Sequence, residues 1–167
     1  MSEILEIEGC VVRSLEGDDK GVLQREFDRD VVYFRAINGR DIPIDEICSA
    51  LPPGRAPTDK FTFVLERDGD VAGMIDIIRG YPEAQVWYLG FMFVSKAWRG
   101  GLGRRVLRGL YGWVKSQGGI ALRLGVVEPN LKARRLYATE GFVFEAVREI
   151  DPGLRRMRRT LVLQRPL

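Results

Sequence analysis

The chain has 167 residues, 46% of them hydrophobic and 29% charged, with a net charge of +3 and no histidine, a composition that suits a single domain over residues 1–167 with its own core. The missing histidine excludes Ser-His and Cys-His nucleophilic chemistry, most zinc sites and the commonest general base, so no metal is expected and any catalysis rests on Tyr, Asp, Glu, backbone amides or water. Two cysteines, Cys10 and Cys48, are too few for a disulfide framework; no apolar run reaches membrane-spanning length and the start MSEILEIEG is acidic, so a cytoplasmic protein without a membrane partner is expected.

In chain order, Ile7 to Ser14 reads as a first strand with Cys10 and Val12 on one face, and Glu16-Gly-Asp-Asp as the turn that starts a helix. Val22, Leu23, Phe27, Val31, Tyr33 and Phe34 give residues 20 to 37 a loose helical period. Pro43 and Pro52-Pro53 bracket a second short helix, Ile44 to Leu51, and Pro52 to Asp59 is a loop. Phe61 to Arg67 and Val71 to Ile78 are β-rich runs joined by Asp68-Gly69-Asp70, a hairpin signal, and Gln85 to Val94 follows a Gly80-Tyr-Pro turn. A helix runs on to about Gln117, then come a strand from Ala121 to Val126 and a helix from Leu131 to Glu140. Phe142 to Val147 and Met157 to Gln164 are closing strands with Asp151-Pro-Gly as their turn, and the cluster Arg155, Arg156, Arg158 and Arg159 is expected on the exposed face of an edge strand. The whole is an α+β chain.

The stretch Leu89 to Leu107 organises the rest. An apolar run, Leu89 to Val94, passes through Arg99-Gly100-Gly101-Leu102-Gly103 into a segment with apolar residues at Val106, Leu107, Leu110 and Trp113, giving the order strand, glycine loop, helix. Glycines at a helix start let the backbone approach a ligand. The unpaired amides of the first turn, the positive end of the dipole and the side chains of Arg99, Arg104 and Arg105 then favour an anion such as phosphate. A Walker loop would need Lys-Ser/Thr where Arg104-Arg105 stand, and a dinucleotide fingerprint would need a third small residue near Val106 and an acid about 20 residues on. Neither is present.

This stretch resembles the coenzyme A pyrophosphate loop of the GNAT N-acetyltransferase superfamily, Arg/Gln-x-x-Gly-x-Gly/Ala after a strand ending in Val. Val94, the pair Arg99-Gly100 and Gly101-Leu102-Gly103 are kept, with one residue fewer between Arg99-Gly100 and Gly101, so that strict alignment sets Trp98 in the Arg/Gln place. A second block, Asn130 to Phe142, matches the family's N-x-x-A-x-x-x-Y-x-x-x-G-F at Asn130, Ala133, Tyr137, Gly141 and Phe142. Two blocks in the right order, one helix and one strand apart, are specific from about Leu89 to Phe142; before that, only the order of elements matches. The resemblance implies the GNAT fold, a mixed and mostly antiparallel sheet of about seven strands flanked by about four helices. It also implies acetyl-CoA as co-substrate and direct acetyl transfer to a primary amine.

By that resemblance Met92, Phe93 and Val94 hold the cofactor through main-chain atoms. Arg99, Gly100, Gly101, Leu102, Gly103, Arg104 and Asn130 complete its site. Tyr137 becomes the proton donor to the leaving thiolate, since a tyrosine with a solution pKa of about 10 keeps its proton at neutral pH. The segment of two helices before Pro52 becomes one wall of the acceptor site, which makes Tyr33, Phe34, Asp41, Asp45 and Glu46 candidates to touch the amine. The base is open between Asp76, an otherwise costly carboxylate amid Met74, Ile75, Ile77 and Ile78, Glu83, and water; Arg79 or Arg123 are expected partners if Asp76 is structural. Residues 1 to 95 hold 10 Lys/Arg against 18 Asp/Glu, and residues 96 to 167 hold 16 against 5, so −8 and +11 make up the +3. An anionic cofactor on the basic half and a cationic small-molecule acceptor on the acidic half are expected, with a peptide amine next. A homodimer is compatible with this reading. The rival readings are a non-catalytic acyl-CoA sensor and a nucleic-acid-associated protein using the basic half; the latter lacks the aromatic stacking pattern such binding needs.

Overall fold

Two runs rich in β-branched and aromatic residues on either side of Asp68-Gly69 pair as a hairpin in the sheet. In the computed structural model, which describes residues 4–150 and 158–167, they form β2 (Lys60–Arg67) and β3 (Asp70–Ile78). Asp68 and Gly69 adopt φ of 52° and 82°, the left-handed pair that a two-residue hairpin requires to match strand twist. Upstream, β1 (Val11–Ser14) pairs with β2, and downstream β4 (Val86–Val94) pairs antiparallel with β3. The remaining strands are β5 (Ala121–Val127), β6 (Val143–Ile150) and β7 (Arg158–Pro166), and the sheet order is β1-β2-β3-β4-β5-β7-β6. Among these strands only β4 and β5 run parallel, and the connection that parallel neighbours need is the helix α4 (Leu102–Ser116).

Among the described residues five α-helices cover the sheet: α1 (Asp19–Arg29), α2 (Val31–Asn38), α3 (Ile44–Ser49), α4 and α5 (Leu131–Thr139). Val106, Leu107, Leu110, Trp113 and Val114 of α4, spaced to one face, pack with Ile75, Ile77, Trp87, Leu122 and Leu124 of the sheet, joined by Tyr137 of α5. On the opposite face Leu23, Phe27, Phe34 and Ile44 of α1 to α3 pack on Val64, Met74 and Phe93. Cys10 and Cys48 are free and half-buried.

The structure departs from the sequence reading in three places. The first strand is shorter, because Gly9 at φ 78° turns the chain and leaves an isolated Ile7–Cys10 bridge ahead of β1. The helical segment expected over 20 to 37 is two helices, broken at Asp30 (φ −115°, ψ 25°), whose carboxylate turns to Arg99 instead of capping α2; this break makes five helices of the expected four. The strand carrying Arg158 and Arg159 lies inside the sheet between β5 and β6, so the edge is β6. There the Arg159 side chain pairs with Glu128 at 3.2 Å. Arg155, Arg156, Met157 and the Asp151-Pro-Gly turn fall outside the described residues.

Candidate active site

The parallel pairing of β4 with β5 stops early. Val86 to Leu89 match Ala121 to Leu124, and beyond that register no further pairs form, although β4 runs on to Val94 and β5 to Val127. A register shift between Asp76 and Ile77 places Phe91 opposite the first and Leu89 opposite the second, so Gly90 is the extra residue of a bulge. A bulge bends its strand and raises the local twist, and here it opens β4 away from β5. The consequence is a cleft of about 670 Å³ between the two strands, a size that suits an extended small-molecule ligand. Along its floor the β5-facing backbone groups of β4 beyond Leu89 have no strand partner, which leaves them available to an extended chain.

At the head of the cleft the chain passes through a single 3₁₀ turn, Lys96–Trp98, and then Gly100 and Gly101 at φ of 120° and 105°. That backbone region is nearly closed to residues with a Cβ, and it turns the chain so that α4 starts at once, with Gly101 as its N-cap. The first intrahelical bond is from Arg105 N to Gly101 O at 3.2 Å. The amides of Leu102, Gly103 and Arg104 therefore lie ahead of the helical ladder, at the positive end of its dipole. Such a terminus is a ready anion site.

The side chains near the loop are more committed than their charges suggest. Arg99 donates from Nε to Val94 O at 3.2 Å, ion-pairs with the buried Asp30 carboxylate, and stands 5.3 Å from the Tyr33 ring centre. It ties the glycine loop to the α1–α2 junction. Arg104 lies 3.0 Å from Glu140, which also meets Arg108 at 3.5 Å. Lys132, in the first turn of α5, faces the cleft with no ion pair among the described residues.

Asn130 caps α5 by accepting from Ala133 N at 3.2 Å, and its amide donates to the Tyr33 hydroxyl at 3.0 Å. Two lining residues 97 positions apart are thereby joined. Tyr137 is 8% exposed and packs on Phe142, yet it lines the cleft. Burial, with a smaller push from Tyr33, holds its hydroxyl proton well above the usual tyrosine range. Among the described residues no hydrogen bond ties that hydroxyl down. Phe34, Phe91 and Phe93 meet in an aromatic cluster, the first two stacked at 6.5 Å and 13°.

Of the residues singled out in the sequence, the structure brings Tyr33, Phe34, Met92, Phe93, Val94, Arg99, Gly100, Gly101, Gly103, Arg104, Asn130 and Tyr137 to one cleft. Leu102 is fully buried and has only its amide to offer. Asp76 and Glu83 are not on the cleft wall. Asp76, 2% exposed, sits behind Gly90 and accepts from Lys60 Nζ at 2.6 Å and Thr62 Oγ1 at 3.1 Å. Its partner is therefore neither Arg79, which pairs with Asp59, nor Arg123, which donates to Gln164. Burial pushes the Asp76 carboxyl above the usual range against the opposing pull of Lys60. Lys60 also donates to Ile47 O and Ala50 O at 3.0 and 2.8 Å, anchoring the end of α3 to the sheet. Asp41, Asp45 and Glu46 pair with Arg35, Lys20 and Arg40 at 2.7, 2.6 and 2.5 Å. Sequence reasoning missed Ile37, Asn38, Gly125 and Lys132 on the wall; Lys132 alone carried a signal, lying in the first turn after the Asn130 cap.

The open cleft fits coenzyme A in kind: an unpaired strand edge for an amide-bearing arm, and a helix start for phosphates. Solved structures that resemble the chain share its fold. An acetyltransferase from Thermus thermophilus is 23% identical with a TM-score of 0.74, covering 96% of this chain and 99% of its own. The ribosomal-protein-S18-alanine N-acetyltransferase from Escherichia coli is 19% identical at 0.70, covering 94% and 93%. The protein yncA from Salmonella typhimurium, solved with its cofactor acetyl-CoA, is 20% identical at 0.64, covering 96% and 95%. No curated protein matches the sequence significantly. The family model described as acetyltransferase (GNAT) matches residues 30–142, from the break between α1 and α2 to the end of the Asn130 block. By that match, which takes in both strands of the splay, the glycine loop and Tyr137, the chain belongs to the GNAT family of acetyl-CoA-dependent acetyltransferases.

Proposed function

We propose that the chain transfers the acetyl group of acetyl-CoA directly to a primary amine bound between α2 and β4, with Tyr137 as the proton donor. The observation that carries this is the splay of β4 from β5, which leaves an open cleft lined both by the capped start of α4 and by Tyr137. Acetyl-CoA, when bound, supplies an activated acyl group and a thiol leaving group. The amides of Leu102, Gly103 and Arg104, with Lys132, hold the phosphates; Arg99 braces the loop from Asp30. The β5-facing edge of Met92 to Val94 holds the amide-bearing arm.

Tyr137 keeps its proton over the whole working range, because burial raises its pKa, so its hydroxyl is present as a hydrogen-bond and proton donor as negative charge develops on the leaving sulfur. The amine's own proton passes to solvent water, which in turn restores the proton that Tyr137 gives to the thiolate. The ion pair with Lys60 and the place of Asp76 behind Gly90 support a structural part for that carboxylate. The expectation of a cationic acceptor rests on the excess of carboxylates before residue 95, and those near this wall are paired.

The test follows free thiol release from acetyl-CoA with a panel of amines. Tyr137→Phe should lower kcat by about 100-fold, the low end for loss of an acid catalyst, while the Kd for acetyl-CoA stays within about twofold by calorimetry. Unchanged kcat would remove Tyr137 from the mechanism, and binding without thiol release across the panel would favour the acyl-CoA sensor.

A further inference from the structure

We infer that the acceptor is a primary amine on an uncharged, apolar scaffold with no second positive charge. This deepens the function proposed above and rests on it. Among the described residues the cleft is lined by three charged side chains, Arg99, Arg104 and Lys132, and no carboxylate. All three belong to the glycine-loop end and α5, not to the wall formed by α2 and the middle of β4. That wall is Tyr33, Phe34, Ile37, Asn38 and Phe91, aromatic and aliphatic with one neutral amide.

The carboxylates behind the wall are spoken for. Asp30 faces Arg99, Asp76 faces Lys60 and Thr62, and Glu46 faces Arg40. Asp41 and Asp45 are paired outward at the surface. A polycationic acceptor would have to bring its extra ammonium groups against aromatic faces and paired ions, with no anion to offset their desolvation. An aryl or alkyl amine loses nothing of the kind and gains apolar burial against Phe34 and Phe91. The same chemistry could come from a free arylalkylamine or from a peptide whose N-terminal side chain is aromatic.

Calorimetry on the CoA-loaded protein ranks three probes by Kd: phenethylamine, the dipeptide amide Phe-Ala-NH₂ and spermidine. Turnover with acetyl-CoA is followed separately, so that a ranking can be read even if no acetyl transfer occurs. Phenethylamine or the dipeptide amide should bind at least about tenfold more tightly than spermidine, and the tighter of the two identifies the source. Asn38→Asp, an isosteric change on the wall, should narrow that gap about tenfold by giving the second ammonium a partner, with its fold checked by thermal melt. Spermidine binding as tightly as or more tightly than both other probes would overturn the inference, while thiol release with any amine would leave the acetyl transfer standing. The expected ranking without thiol release would sustain the inference about the cleft and sink the proposed reaction.

Discussion

The two walls of the cleft are built on different physics. On one side, the glycine loop and the start of α4 work through backbone: amides ahead of a helical ladder and positive φ at Gly100 and Gly101. On the other, α1 to α3 work through side chains, with an aromatic cluster and a set of ion pairs that link elements far apart in sequence. Backbone chemistry restricts residue type locally, whereas the side-chain wall acquires its character only from what packs against it. Carboxylates that look available in the sequence of the second wall are already partnered in space.

The largest effect is expected from unpairing the ions behind the second wall. Asp76→Ala leaves Lys60, with its side chain 8% exposed, without its carboxylate. It should cost about 3–5 kcal/mol in denaturant unfolding, the range for stranding one member of a buried pair. The double change Lys60→Met with Asp76→Leu should recover most of that stability and keep turnover; loss of turnover in a well-folded double variant would restore Asp76 as a candidate base.

Breaking the first wall needs a Cβ, not a charge. Gly101→Val at φ 105° should strain the cap by about 1–3 kcal/mol and raise the KM for acetyl-CoA with little change in kcat. A KM equal to the parent's would separate the loop from cofactor binding.

Two milder perturbations act where the walls meet. Since the Tyr137 hydroxyl is raised above its ordinary value of about 10, kcat/KM should rise with pH as the amine loses its proton and then level off, with no falling limb below about pH 10. A falling limb near pH 8 would assign proton donation to another group. Tyr33→Phe removes the acceptor for Asn130 but keeps the ring beside Arg99, and should cost about 1 kcal/mol or less of stability; a larger loss would make the bridge a principal tie across the cleft.

How much is legible in the sequence follows the same division. The hairpin at Asp68-Gly69, the α4 stripe and the glycine loop ahead of α4 are readable because turn φ, helical period and the need for a residue without a Cβ are short-range demands. The helix break at Asp30 is not, because its cause is an arginine 69 residues away. Nor is the partner of Asp76: Lys60 lies across a strand pair, and only the register of β2 on β3 brings it within reach.

The order of the strands, every helix but the pair split at Asp30, the glycine-capped helix start and the family are written in local spacing and residue type. Tertiary structure alone decided where β4 leaves β5, which charges are already neutralised and what the acceptor wall offers. Those depend on strand register and on contacts between residues distant in the chain, where an ion pair costs or stabilises according to the burial that only the folded state supplies.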